Sequence, residues 1–154
     1  MADFQKGTVK RTQGQVKKHA SQCNTKELDQ LENALSRVQD LWLKRGIKTG
    51  FHLQDKIRNG ETEFSYKRAM ETMLNPVIVE YNETGKDRRI LIRSKVGHVG
   101  NTIDDVVVQC LVVSLLSGKI ITSYLNKASD RHETLDLRRY NKNLKINLPK
   151  HLTN

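Results

Sequence analysis

The feature that most constrains this chain is a long apolar run, V-V-V-Q-C-L-V-V-S-L-L, from Val106 to Leu116, interrupted only by Gln109 and Ser114. It is too short to cross a bilayer, which takes about 20 residues. Apolar at nearly every position, it reads as a central strand over Asp105 to Leu116 with cover on much of both faces. Such a strand needs partner strands beside it and helices to bury it, and the rest of the sequence supplies both.

Upstream, N-T-K-E starts a helix, with Asn24 as N-cap and Glu27 three residues on, as in a capping box. Leu28, Leu31, Leu35, Val38 and Trp42 then recur at spacings of three and four, one helical stripe. Lys44 to Gly46 supplies C-terminal cations and a glycine stop. A second short helix covers Phe51 to Gly60. A third runs from about Glu63 to Leu74, with Phe64, Met70, Met73 and Leu74 inward, and ends at Asn75-Pro76. The pattern then changes to period two. Val77 to Asn82 is a strand, E-T-G-K-D a turn, and Arg88 to Lys95 the next strand. Val96 to Thr102 is a loop with two glycines. After the central strand, Ser117-Gly118 turns the chain into G-K-I-I-T-S-Y-L-N, Gly118 to Asn126. Ser129 to Glu133 has the composition of a short helix start, and Leu144 to Leu148 that of an edge strand. The expected fold class is α+β, with N-terminal helices packed on a four- to five-stranded antiparallel sheet.

With 154 residues the chain makes one domain. Residues 1–22 are expected as a basic flexible arm, residues 23–137 as the domain and residues 138–154 as a basic C-terminal tail. The formal net charge of +10 points to an anionic partner, nucleic acid first, then an anionic membrane or an acidic inhibitor protein. Cys110 reads as a buried small hydrophobe, while Cys23 lies in a polar segment. There is no C-x-x-C, hence no zinc-ribbon spacing and no disulfide framework. The N-terminus has no apolar signal core, and the expected setting is a reducing cytoplasm, that of a bacterium.

The strand Arg88 to Lys95 has two unlike faces. Ile90 and Ile92 face the helices, which leaves Arg89, Leu91, Arg93 and Lys95 in a row on the other face, with Arg93 and Lys95 about 7 Å apart and Arg89 about 13 Å from Arg93. Like charges at that spacing repel unless an anion visits or carboxylates elsewhere pair with them. Thr122 and Tyr124, two residues apart on the last strand, would complete a cationic platform if they share that face. A base stacks on the ring, and the hydroxyl and cations hold a phosphate. Both residue types also simply favour strands. Metal-free RNA cleavage needs a base for the 2′-hydroxyl, an acid for the leaving oxygen and cations for the phosphate. His98, in the glycine loop after the cationic strand, and His52, on the short helix beside Asp55, Lys56 and Arg58, are the candidates; each also reads as an ordinary surface histidine. His19, in the arm, is the weaker candidate. Asp104-Asp105 with Glu80 offers oxygen ligands for magnesium, but Asp104 more simply caps the start of the strand. No H-x-x-H, P-loop, G-x-S-x-G or dinucleotide fingerprint is present.

A helical part with a histidine (F-H-L-Q-D-K-I), strands V-I-V-E-Y and R-R-I-L-I-R-S-K, and a buried strand running into G-K-I-I-T-S-Y resemble the barnase–EndoU–colicin–RelE superfamily of small ribonucleases. The likeness is to RelE-type toxins and to tRNase domains of bacterial polymorphic toxins, over roughly Gly50 to Asn126. The resemblance implies cofactor-free, metal-independent cleavage of tRNA or mRNA through a 2′,3′-cyclic phosphate. It implies His52 as general base or acid, Arg93 and Lys95 as phosphorane-stabilising cations, and Thr122 and Tyr124 as the last-strand hydroxyl and ring; His98, by its place in the glycine loop, competes with His52 for the proton-transfer role. Lys56, Arg58, Arg89, Arg138 and Arg139 are the expected RNA contacts. A toxin of this kind implies a cognate inhibitor. Two rival expectations are a non-catalytic nucleic-acid-binding accessory protein of phage or mobile-element origin, and a protein-binding inhibitor of a host enzyme.

Overall fold

Asn24 starts the main helix as the sequence predicts. Its Oδ1 accepts the Glu27 N–H at 2.8 Å, and Glu27 Oε1 accepts the Asn24 N–H at 3.0 Å. Helix α1 spans Thr25–Arg45 and buries Leu31, Ala34, Leu35, Val38 and Trp42. It stops at Gly46, whose φ of +87° is open to glycine and costly for other residues. The structure, a computed structural model, describes residues 16–95, 97–99, 106–127 and 137–153. Helices α2 (Phe51–Arg58) and α3 (Tyr66–Leu74) follow, and Lys150–Thr153 forms a last turn, α4. The strands are β1 (Lys17–His19), β2 (Lys48–Thr49), β3 (Pro76–Thr84), β4 (Asp87–Ser94), β5 (His98–Val99), β6 (Val106–Ser114) and β7 (Lys119–Lys127).

The strands form one sheet in the order β1-β3-β4-β6-β7-β2, with β5 joined to β6. The α+β class and the four-strand meander β3-β4-β6-β7 are as predicted. The sheet is larger and mixed, because β2 pairs in parallel with the start of β7. Two residues give no periodicity, so this strand left no mark in the sequence.

The sheet buries both faces of its centre, as the run in β6 requires. Tyr81, Ile90, Ile92, Leu111, Val113 and Ile120 pack with α1 and with Met73 of α3. On the other face Val79, Leu91, Val108 and Cys110 form a smaller cluster. Between β6 and β7, Gly118 turns the chain with φ +75°, and a Cβ there would lie 2.8 Å from Leu41 Cδ2. The Trp42 indole N–H donates to the Gly118 carbonyl at 2.8 Å, which locks the turn to α1.

The two expected basic ends are, where described, part of this body. Lys17 to His19 pair antiparallel with β3. Lys18 is 5% exposed and its ammonium meets Glu27 at 2.9 Å and the Leu144 carbonyl at 2.9 Å. From Tyr140 the chain wraps the β1 edge, where the Asn141 N–H donates to the Lys17 carbonyl at 2.8 Å. Leu144, Ile146 and Leu148 then pack against the helix-side core, and Leu152 is buried beside α1. No strand forms at Leu144 to Leu148; side chains rather than a ladder hold that segment. Asp104, Asp105 and Ser129 to Glu133 lie outside the described residues. Among the described residues no helix is long and apolar enough to cross a membrane.

Candidate functional site

Register decides which predicted site residues meet. Arg93 pairs with Cys110, and Cys110 pairs in turn with Tyr124. Leu91, Val112 and Thr122 are linked in the same way one step along. Cross-strand partners project to one face, so Arg93, Thr122 and Tyr124 share the face opposite the helices. Strand β6 lies between them and places the Arg93 and Tyr124 backbones about 10 Å apart.

One of the three cations in the row, Arg89, is ion-paired within its own strand. Arg89 Nε lies 2.9 Å from Asp87 Oδ2, a carboxylate that also accepts the Ser114 hydroxyl through Oδ1 at 2.7 Å. Arg93, only 9% exposed, and Lys95, exposed, line a pocket of about 550 Å³. Its other walls include Val77, Val79 and Val108, with His19, Ala20 and Ser21 from the turn after β1. Thr122 and Tyr124 do not line it.

Among the described residues the histidine at this pocket is His19, which the sequence made a weaker candidate than His52 or His98. It is 3% exposed and caps the 3-10 turn Ala20–Gln22. Its Nδ1 accepts the Ser21 N–H at 3.1 Å, which leaves the proton of the neutral ring on Nε2. Nε2 is shielded from solvent, so the ring is a wall of the pocket rather than a group open to its centre. Tyr140 meets the ring edge-on with centroids 5.3 Å apart. The Tyr140 hydroxyl donates to Glu80 Oε1 at 2.6 Å, and Lys17 Nζ lies 3.6 Å from Glu80 Oε2. Burial first, then the hydrogen bond to the Glu80 carboxylate, holds the Tyr140 phenol well above its ordinary pKa. The sequence did carry one mark of this site. H-A-S-Q places Gln22 three residues after His19, and the Gln22 amide oxygen accepts the His19 N–H at 3.1 Å.

His52 does not join these residues. It is exposed on α2, whose Leu53 and Ile57 pack in the helix-side core, and its ring meets Phe51 edge-on at 6.4 Å. The F-H-L-Q-D-K-I helix buries its leucine and isoleucine and so turns the histidine outward. Lys56 and Arg58 are exposed on the same helix, with Arg58 3.2 Å from Asp55. Arg138 and Arg139 are exposed in a 3-10 turn, Leu137–Arg139. The backbone of His98 pairs with Val107, and its side chain lies outside the described residues.

Among the described residues no group of three histidine, cysteine or acidic side chains is placed to hold a metal. What the pocket offers is two cations beside a mixed wall of valines and serines, an arrangement that attracts an anion. The chain matches no family model, no curated protein and no solved structure.

Proposed function

We propose that this chain binds RNA and seats a backbone phosphate in the pocket between Arg93 and Lys95. The supporting observation is that Arg93 of β4 and Lys95 just beyond it line one pocket with Val77, Val79 and Ser21 of the β1 turn. The net charge of +10 agrees with a polyanionic partner.

His19 in the wall of the same pocket favours a second reading, metal-independent cleavage as in the ribonucleases the sequence resembles. There the RNA 2′-oxygen attacks phosphorus, an O2′–P bond forms and the P–O5′ bond breaks. The 2′-hydroxyl proton goes to solvent and the 5′-oxygen takes a proton from solvent, while the His19 Nε2–H donates a hydrogen bond to the phosphate oxygens and keeps its proton. The products are a 2′,3′-cyclic phosphate and a 5′-hydroxyl. This step requires the ring to open towards the pocket, so binding is the reading that the static geometry favours.

The test is incubation with total tRNA in EDTA, read by gel shift and by end-group analysis, with Lys95→Glu and Arg93→Gln beside wild type. RNA that shifts intact supports binding, and Lys95→Glu should weaken it and lower the salt slope by about 0.7. Cyclic-phosphate fragments that vanish in Arg93→Gln would bring in the second reading. RNA left intact and unshifted would exclude both and turn the search to a protein partner.

A further inference from the structure

Strand β7 begins in an arrangement that the pocket leaves unused. Lys48 of β2 and Lys119 of β7 are register partners, and both are exposed. Their neighbours Thr49 and Ile120 are also partners, and both are buried towards the helices. The two lysines therefore project together to the opposite face, the one that carries Thr122 and Tyr124. Like charges set directly opposite destabilise a sheet, and among the described residues neither lysine forms an ion pair. An anion between them would relieve the repulsion.

From that pair the exposed face of β7 presents the Thr122 hydroxyl and then the Tyr124 ring, which is 37% exposed. The distance from Lys119 to Tyr124 is about 17 Å along the strand. Beyond Tyr124, across Cys110, lies Arg93 and its pocket. Cations, a hydroxyl and a ring in line fit a strand with alternating phosphates and unpaired bases. A duplex offers no open base face to the ring.

We infer that the outer face of β7 is a track for single-stranded RNA, held at its far end by the Lys48–Lys119 pair and stacked on Tyr124 before the strand reaches the pocket. The inference deepens the reading of the pocket as an RNA site and names the surface that leads to it.

The experiment is fluorescence anisotropy of a labelled 12-nucleotide oligouridylate in EDTA across a salt series, using the full chain. Lys48→Gln/Lys119→Gln should weaken binding about tenfold and lower the salt slope by about 0.7 per lysine. Tyr124→Leu should weaken it about tenfold, while Tyr124→Phe keeps the ring and the affinity. Lys67→Gln/Lys86→Gln, on exposed positions of α3 and the β3–β4 turn, removes the same charge elsewhere. Equal weakening in that control would show general attraction only and would overturn the track, as would wild-type affinity in the β7 variants. If Lys95→Glu loses affinity while the β7 variants keep it, the track falls and the pocket reading stands. If the β7 variants lose affinity while Lys95→Glu keeps it, the track stands and the pocket reading falls.

Discussion

Arg89 and Arg93 are the same residue type on the same face of the same strand, and their surroundings differ. Asp87 holds the Arg89 guanidinium, while Arg93 stands at a pocket wall with Val77, Val79 and Val108. Alternation made the face legible in the sequence. The pairing was not, since Asp87 belonged to the predicted turn and its carboxylate reaches forward to a residue two places on. The histidines show the same limit. A helix with a histidine beside leucine and isoleucine drew attention to His52, yet packing of those apolar neighbours turns it outward. His19, in a stretch without apolar periodicity, is fixed by pairing with β3, a contact across more than sixty positions of the chain. Two tyrosines carry a prediction at this scale. Burial first and then a carboxylate, Glu83 for Tyr81 and Glu80 for Tyr140, holds each phenol above its ordinary value of 10.0. Above pH 10 the unfolded chain loses these protons and the folded chain keeps them, so stability falls as pH rises. Urea unfolding should show up to about 1.4 kcal/mol lost per pH unit for each tyrosine above pH 10, and Tyr81→Phe or Tyr140→Phe should each remove one share. A pH slope unchanged in both variants would refute this.

Elements were legible in proportion to their length and to the locality of their bonds. The start of α1 follows from a bond network within four residues, so N-T-K-E placed it correctly. Its end follows from one glycine. The two-residue β2 depends on a partner far along the chain and could not be read, whereas the 3-10 turn after β1 is closed by local bonds of His19 with Ser21 and Gln22 that H-A-S-Q marks. The cap also has a long-range part. Burial alone would raise the Glu27 carboxyl, but the Asn24 N–H and the Lys18 ammonium outweigh it and hold its pKa below the usual value. Asn24→Ala removes the acceptor for the Glu27 N–H and should cost about 1 kcal/mol in urea unfolding. A change within a few tenths would mean that tertiary contacts alone hold the helix start.

Across the whole molecule, the C-terminal segment closes the fold. It passes Glu80 on the pocket side, crosses the β1 edge and ends against α1. Its basic residues suggested a tail, because Leu144, Ile146, Leu148 and Leu152 are too sparse to announce a core contact without their partners in view. The same strap carries Tyr140 to the edge of the candidate site, so fold and site are built by both ends of the described chain. The central claim is that RNA lies on the sheet face opposite the helices, with a phosphate between Arg93 and Lys95. The most direct measurement is an amide chemical-shift titration of the isotope-labelled chain with the 12-nucleotide oligouridylate. The expected shifts cluster at Ala20 and Ser21, at Val77 to Val79, at Arg93 to Lys95, and along Lys119 to Tyr124. Shifts confined to α2, around His52, Lys56 and Arg58, or no shifts at all, would contradict the account.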